Sequence, residues 1–398
     1  MKLNIAFYTD SYLPATDGVV TSILGIKKEL ESRGHNVYIF STYNISAYKK
    51  KYSNRKVFLY PGFTFKQYPQ YNVAIFPYSS MMKLRNIDAD LVHVHTPFMM
   101  GFAGVLNARA LGKPLIGSFH TLINNKELIM QYYPKNKYLK EFTGKYLWSY
   151  VTFFYKRCDL TIAPSEAVRK ILLKDGVERT EVIPNGVDLK IFNPKANGNG
   201  LRQKLGIKSN EKMVLYIGRL SREKKLEVLL KAAKILSRRE DMKVVIGGSG
   251  PAEMYYKSMA LRLGLSNVIF MGNVPKEMLP KLYAASDVFC LPSTFETQGI
   301  VSIEAMATGK PVVCADFMAL RDLVIDGTNG EKFESGNYVE CARKIEKVLN
   351  NPKPYIKHAV NTAMKFSTEK VATELIDVYK KALENRRFTG GEGYQRRE

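Results

Sequence analysis

The chain has 398 residues, 45% of them hydrophobic, and a formal charge of +23. That length is long for one core and favours two domains of similar size, each with enough apolar content to pack. The N-terminal apolar run Met1–Phe7 is too short for a signal peptide, and no stretch approaches the roughly 18 uncharged residues of a membrane span, so a soluble or surface-bound chain is expected.

Short apolar strands alternate with helices along the sequence, the pattern of a parallel α/β sheet. The first half reads as strand 3–8, helix 18–32, then strands 36–41, 91–94, 115–119, 160–163 and 181–183. Turn-forming residues at 184–188 and 193–200 read as a linker. The second half gives strands 212–217, 243–246, 267–271, 288–291 and 312–314, with helices 224–237, 252–263, 276–285 and 300–307. A helix follows at 368–385, and the Gly- and charge-rich tail 386–398 reads as disordered. Cys158, Cys290, Cys314 and Cys341 form no Cys-x-x-Cys pair and read as reduced core thiols.

The richest segment is Phe295-Glu-Thr-Gln-Gly-Ile-Val-Ser-Ile-Glu304, in which two carboxylates stand eight positions apart across a loop entering a helix. A strand feeding a helix through a Gly-containing turn presents backbone N–H groups, and with the helix dipole these favour a phosphate. Glu304, about one turn inside, can accept hydrogen bonds from a sugar diol. The plainer alternative is a surface helix with two acids near its N-terminus, where the dipole favours them anyway. His120 follows its strand at the carboxyl end, where ligands bind in open α/β sheets, and so does Arg219. His93 and His95 are expected on opposite sides of their strand, with His95 directed toward the strand end. Asp88-Ala-Asp90 lies on the amino side of its strand and reads as a turn, not a metal site. The run Gly247-Gly-Ser-Gly250 is a weak glycine-loop signal, lacking the third glycine of a dinucleotide fingerprint.

In order and spacing these features resemble retaining glycosyltransferases of the GT-B type, glycosyltransferase family 4, whose signature is the Glu-x7-Glu element. Further matches are Tyr12-Leu-Pro14 with Asp17-Gly-Val-Val20, Gly34-His-Asn-Val37, Leu91 to Pro97, and Ser118-Phe-His-Thr121. Later ones are Ile183 to Asp188, Gly218-Arg-Leu220 with Glu223-Lys224, and Gly247 to Pro251; together they cover about residues 1–385. The resemblance implies two doubly wound Rossmann-like domains facing a central cleft. The acceptor-binding, membrane-facing domain would be 1–189, with helix 368–385 packing back on it, and the donor domain 190–367.

For the site, the resemblance implies that Arg219 and Lys224 neutralise the diphosphate of a nucleotide-sugar, a UDP- or GDP-hexose, with no metal expected. Gln298, Gly299 and Ile300 would offer backbone N–H groups to the β-phosphate. Glu304 would take the ribose hydroxyls, while Glu296 would lie near the sugar and stabilise cationic character at the anomeric carbon. His120 would approach the donor sugar, and Gly18 would allow close backbone approach. The leaving phosphate would accept the acceptor's proton. Two positions depart from the family pattern: Asp17 where relatives carry Gly, and Lys225 where many carry Gly.

Charge adds a second theme. From Ser32 to Ile87 there is no acid, while basic residues from Arg33 to Arg85 interleave with eight tyrosines; Lys126 to Arg157 repeats the pattern with Tyr146, Trp148, Tyr150, Phe153 and Phe154. Such interleaving suits an anionic membrane interface. It also suits nucleic acid, or a solvated basic face with the aromatics buried against the sheet. Nucleic acid is not expected as a partner. The wording Glu-Thr-Gln-Gly is similar to that of bacterial diacylglycerol α-glucosyltransferases. The expected activity is therefore hexose transfer to a membrane lipid such as diacylglycerol, at the inner face of the cell membrane, by a cytoplasmic peripheral protein. The alternatives are a soluble, polyprenyl-linked or polysaccharide acceptor, or a non-catalytic basic binding protein.

Overall fold

The computed structural model describes residues 1–15, 17–44, 54–65, 68–75, 77–120, 137–239 and 241–389. Lys49 to Lys51, Lys66, Lys126 to Lys135 and the tail 390–398, all part of the charge and disorder expectations above, lie outside them. The described chain divides into two compact units: residues 1–120, 137–186 and 368–389, and residues 187–367.

The first unit is built on an eight-stranded sheet in the order β4-β3-β2-β1-β5-β6-β7-β8. The strands are β1 Asn4–Tyr8, β2 Asn36–Asn44, β3 Val57–Phe65, β4 Tyr68–Ala74, β5 Leu91–Val94, β6 Leu115–Ser118, β7 Leu160–Ala163 and β8 Thr180–Val182. All neighbours pair in parallel except β3 with β4. Sequence reading missed β3 and β4 because Pro61-Gly62 interrupts one run and Pro69 the other, and proline argues against a central strand. The structure accommodates Pro69 on β4, which is the sheet edge. Val371, Leu375, Ile376, Val378 and Tyr379 of the C-terminal helix Thr368–Thr389 join Ile5, Phe7, Ile23 and Leu30 in this unit's core. Five apolar side chains of that size, each contributing about 1.5–3 kcal/mol when fully buried, hold the helix in place.

The second unit has a six-stranded, wholly parallel sheet in the order β11-β10-β9-β12-β13-β14. Its strands are β9 Lys212–Ile217, β10 Met242–Gly247, β11 Val268–Gly272, β12 Val288–Leu291, β13 Val312–Ala315 and β14 Gly330–Phe333. Strand β14 escapes the pattern because Gly330-Glu-Lys-Phe333 is short and charged; buried Glu331 is neutralised there by Lys344 and Lys347 and accepts from the Tyr355 hydroxyl. The segment read as a linker is partly packed instead. Asn185 and Val187 are buried, and a Cβ on Gly186 would come within 2.6 Å of Thr368 Cα. All four cysteines are free and buried, with Cys290 and Cys341 Sγ 3.9 Å apart.

Strand order sets where ligands can bind. It reverses between β9 and β12 in the second unit and between β1 and β5 in the first. In open α/β sheets the crevice outside the carboxyl ends at such a switch is the binding position.

Candidate active site

In the second unit the loops leaving β9 and β12 meet at that switch. The first holds Arg219 and Lys224, the second Phe295 to Gly299. Lys224 sits in a one-turn 3-10 helix, Arg222–Lys224, and not at the start of the α-helix as expected; that helix begins at Leu226. The break comes at Lys225, whose φ of 51° is left-handed. This explains the departure noted there: the backbone needs the conformation glycine adopts most freely, and lysine adopts it under strain. Lys224 Nζ donates to Glu296 Oε1 at 2.7 Å and to Phe295 O at 3.2 Å, bridging the two loops. Both side chains are mostly buried, at 19% and 13% exposure. Glu223 adds a second tie, its carbonyl accepting from Thr294 N at 3.3 Å. Arg219 lies two residues beyond β9, partly exposed, with its carbonyl taken by the Tyr216 hydroxyl at 3.1 Å.

The helix Ile300–Ala307 begins where sequence placed it. Its N-cap is Gly299, at φ 83°, and a Cβ there would lie 2.7 Å from Leu320 Cδ2, so conformation and packing both demand glycine. The first bonds in this turn run from Ser302 N and Ile303 N to Gly299 O. The amides of Ile300 and Val301 therefore precede intrahelical pairing and are oriented for an anion. Gln298 is buried beside them. Glu304 is 7% exposed and accepts from the Tyr283 hydroxyl at 2.8 Å. Burial lifts its carboxyl to about 7, with the Tyr283 bond and the charge of Lys276 pulling the other way. Nothing in the sequence pointed to Tyr283, which is 21 residues away.

The glycine run after β10 has a packing role. A Cβ on Gly248 would lie 1.9 Å from Gly218 O, and one on Gly250 would lie 2.5 Å from Leu220 O. Gly218 N and Leu220 N donate to Gly247 O and Ser249 O, each at 3.0 Å. The run thus clamps the loop that carries Arg219.

In the first unit the carboxyl ends of β1, β5 and β6 bring together Asp10, His95, Thr96 and His120. Asp10 is buried. It accepts from the Thr96 hydroxyl at 2.6 Å and from Met100 N at 2.9 Å, at the start of the helix Met99–Ala110. Burial raises its carboxyl to about 6. An acid two residues beyond the end of an apolar strand was the available signal for it. His93 and His95 do not face opposite sides: residues two apart on a strand share a face, and their rings lie 4.1 Å apart. His93 is held by the Tyr379 hydroxyl at 2.7 Å and Ser118 Oγ at 2.8 Å. His120 is partly exposed and meets His95 across its Nε2. It borders a cavity of about 20 Å³, room for one water, with Ser22, Ser118 and Asn185 also on the wall.

Gly18 opens the helix Gly18–Ser32, and a Cβ built there meets no atom within 4 Å. Asp17, the departure beside it, is the helix cap. Its Oδ1 accepts from Val20 N at 2.9 Å and its Oδ2 from Ser11 Oγ at 2.6 Å. Asp88-Ala-Asp90 is the expected turn, with Asp90 accepting from Asn4 N at 2.7 Å. Among the described residues no cluster of His, Cys, Asp or Glu is arranged to hold a metal ion.

The aromatics of the basic stretches divide between core and surface. Tyr60 and Phe154 are buried, and Trp148 donates to Asp175 at 3.0 Å. Tyr146, Tyr150 and Phe153, spaced four and three apart on the helix Lys137–Tyr155, form an exposed stripe at 60%, 38% and 51%. Arg157 lies over the Phe153 ring, and Lys145 and Lys156 are exposed nearby in sequence. Tyr78 and Met82 add exposed apolar surface beside Lys83 and Arg85. No helix among the described residues is long and apolar enough to cross a membrane.

Comparison with known proteins gives the family and the fold. Residues 16–191 match the model described as Glycosyltransferase Family 4, and residues 199–369 match Glycosyl transferases group 1. An alpha-monoglucosyldiacylglycerol synthase of Streptococcus pneumoniae is 33% identical over 333 residues, covering 81% of this chain and 74% of that protein. A protein of the same name from Acholeplasma laidlawii is 28% identical over 397 residues, 96% of each chain. Among solved structures, Anabaena HepE in complex with UDP and glucose has a TM-score of 0.74 at 22% identity, covering 95% of this chain and 100% of that one, a likeness of fold.

Proposed function

The chain belongs to the family 4 glycosyltransferases of GT-B architecture, and on that footing we propose that it moves a hexose from a nucleotide-sugar to a membrane lipid such as diacylglycerol, with retention at the anomeric carbon. The observation that carries the donor half is the Lys224–Glu296 contact at 2.7 Å, which joins a cation and an acid at the strand-order switch beside the amides of Gly299 to Val301.

Breaking the bond between the anomeric carbon and the diphosphate leaves about two negative charges on the leaving group. Arg219, Lys224 and the helix amides neutralise them, and preorganised charge of this kind is the largest usual source of rate acceleration. Glu304 accepts the ribose hydroxyls. Glu296, steadied by Lys224, orients the hexose and stabilises cationic character at its anomeric carbon, and His120 hydrogen-bonds the hexose. The acceptor hydroxyl then bonds to the anomeric carbon on the face the diphosphate leaves. Its proton passes to the departing phosphate, so the products are a hexosyl-lipid and a protonated nucleoside diphosphate.

The lipid half is supported by the stripe Tyr146, Tyr150 and Phe153 among basic side chains, and by the names of the relatives. Rings of this kind sit at headgroup depth, and each nearby cation adds about 1 kcal/mol on an anionic leaflet. We place the enzyme peripherally on such a leaflet, the inner face of the cell membrane. The test is a screen of UDP- and GDP-hexoses with and without anionic vesicles containing diacylglycerol, read by mass spectrometry of the lipid fraction. A hexosyl-lipid formed only with vesicles is the expected result. Donor hydrolysis without a lipid product would move the acceptor to soluble sugars or polyprenyl carriers. Neither transfer nor hydrolysis of any donor would overturn the enzyme reading.

A further inference from the structure

The first unit holds an imidazole cluster whose hydrogen bonds constrain one proton. His95 Nδ1 and His120 Nε2 lie 3.2 Å apart. The His95 ring is wedged between Phe7, with centroids 4.6 Å apart at 62°, and His93, at 4.1 Å. Its backbone is pinned by His95 N donating to Tyr8 O at 2.8 Å. The His95–His120 rings lie nearly parallel, at 18°. Burial lowers the pKa of His93 to about 3 and that of His95 well below the ordinary value, and desolvation also lowers that of His120, although part of its surface stays exposed, so each ring is neutral near pH 7 and carries one proton.

Two neutral rings sharing one hydrogen bond leave two arrangements. If His120 donates from Nε2, His95 must carry its proton on its own Nε2. That atom is buried with no partner among the described residues, so the arrangement strands a buried N–H. If His95 donates from Nδ1, its Nε2 is a bare acceptor. A buried N–H without a partner is rarer than an under-satisfied acceptor, and leaving a polar group unmet costs about 1–3 kcal/mol. The second arrangement is favoured, and it puts the His120 proton on Nδ1. Among the described residues none engages that Nδ1.

We propose that His95 is a positioning residue that donates its Nδ1–H to His120 Nε2 and so fixes His120 as the Nδ1–H tautomer, a hydrogen-bond donor to the hexose and not a base. The proposal rests on the reading of His120 as a contact to the donor sugar. His95 itself touches no substrate; it acts through the ring it holds.

Ring nitrogen-15 spectra of the full chain with labelled histidine distinguish protonated from bare nitrogens, with no dependence on activity. His120 protonated on Nδ1 is expected in the wild type. In His95→Leu a mixture of tautomers is expected, with kcat falling roughly tenfold or more and donor KM nearly unchanged, as for loss of a residue that orients another. Asparagine places an N–H near the position of Nδ1, so His95→Asn restores both the spectrum and much of kcat. His120 protonated on Nε2 in the wild type overturns the proposal, and so does an unchanged tautomer in His95→Leu. If His95→Leu does not fold, the wild-type spectrum alone decides. If the spectra are as expected while His120→Ala turns over normally, the sugar-contact reading fails and the hydrogen-bond assignment stands.

Discussion

Glu304 ties donor binding to pH. Its carboxyl is 7% exposed, and burial raises it to about 7 against the opposing Tyr283 bond. Only the carboxylate can accept two ribose hydroxyls, so the apparent Kd of a UDP-hexose scales as one plus the ratio of protonated to ionised Glu304. With the midpoint near 7, that factor rises about tenfold from about pH 8 to about pH 6, or ~1.4 kcal/mol. The donor's diphosphate is doubly esterified and does not titrate in this window. Calorimetric titration of the wild type should show this rise, and Glu304→Gln should bind more weakly with a flat profile. Tyr283→Phe removes a bond that favours the charged form, worth about 1.5–3 kcal/mol, and should move the midpoint up by one to two units. A flat wild-type profile, or the same slope in Glu304→Gln, would refute the reasoning. Stability runs the opposite way. The folded pKa lies above the ordinary carboxyl value, so the folded chain binds the proton more readily. This group's contribution therefore improves as pH falls from about 7 toward about 4.5 and worsens again on raising pH.

Lys224→Ala leaves Glu296 mostly buried without its cation and strips the diphosphate of one charge partner. A loss of roughly 100-fold in kcat/KM is expected, and the folded state should weaken by about 1–3 kcal/mol, most of which Lys224→Ala with Glu296→Gln should recover by thermal melting. Gly18→Ala should fold normally, since its Cβ meets no atom within 4 Å, yet lose donor or acceptor binding by titration; unchanged binding would remove Gly18 from the site. Glu331→Gln should cost roughly 3 kcal/mol of stability by denaturant titration, because Lys344 loses a buried partner at 2.6 Å while half-exposed Lys347 loses less. The Glu331 carboxyl is held down to about 2, so its contribution is present above about pH 4.5 and lost on acidification toward 2; the variant should lack that part of the acid transition.

Most of the parallel strands and the helix Ile300–Ala307 were legible because they rest on local physics: apolar runs, a glycine cap, and bonds reaching four residues or fewer. The Glu-x7-Glu element was legible for the same reason, being one loop and one helix turn. Where local signals conflicted with tertiary demand they misled, as at Pro61-Gly62 inside β3, or could not be interpreted, as at Lys225, whose left-handed backbone is set by the folded loop. The contacts that turn residues into a site are long-range. Lys224 and Glu296 are 72 positions apart and His93 and Tyr379 are 286 apart; no periodicity encodes such pairings, because they depend on strand order. That order puts the ends of β9 and β12 side by side, and the same order in the first unit brings His95 to His120. The sequence by itself determined the elements and the chemistry they carry, whereas their assembly was decided by which strands became neighbours, and by the burial that followed, which raised Glu304 and silenced three histidines.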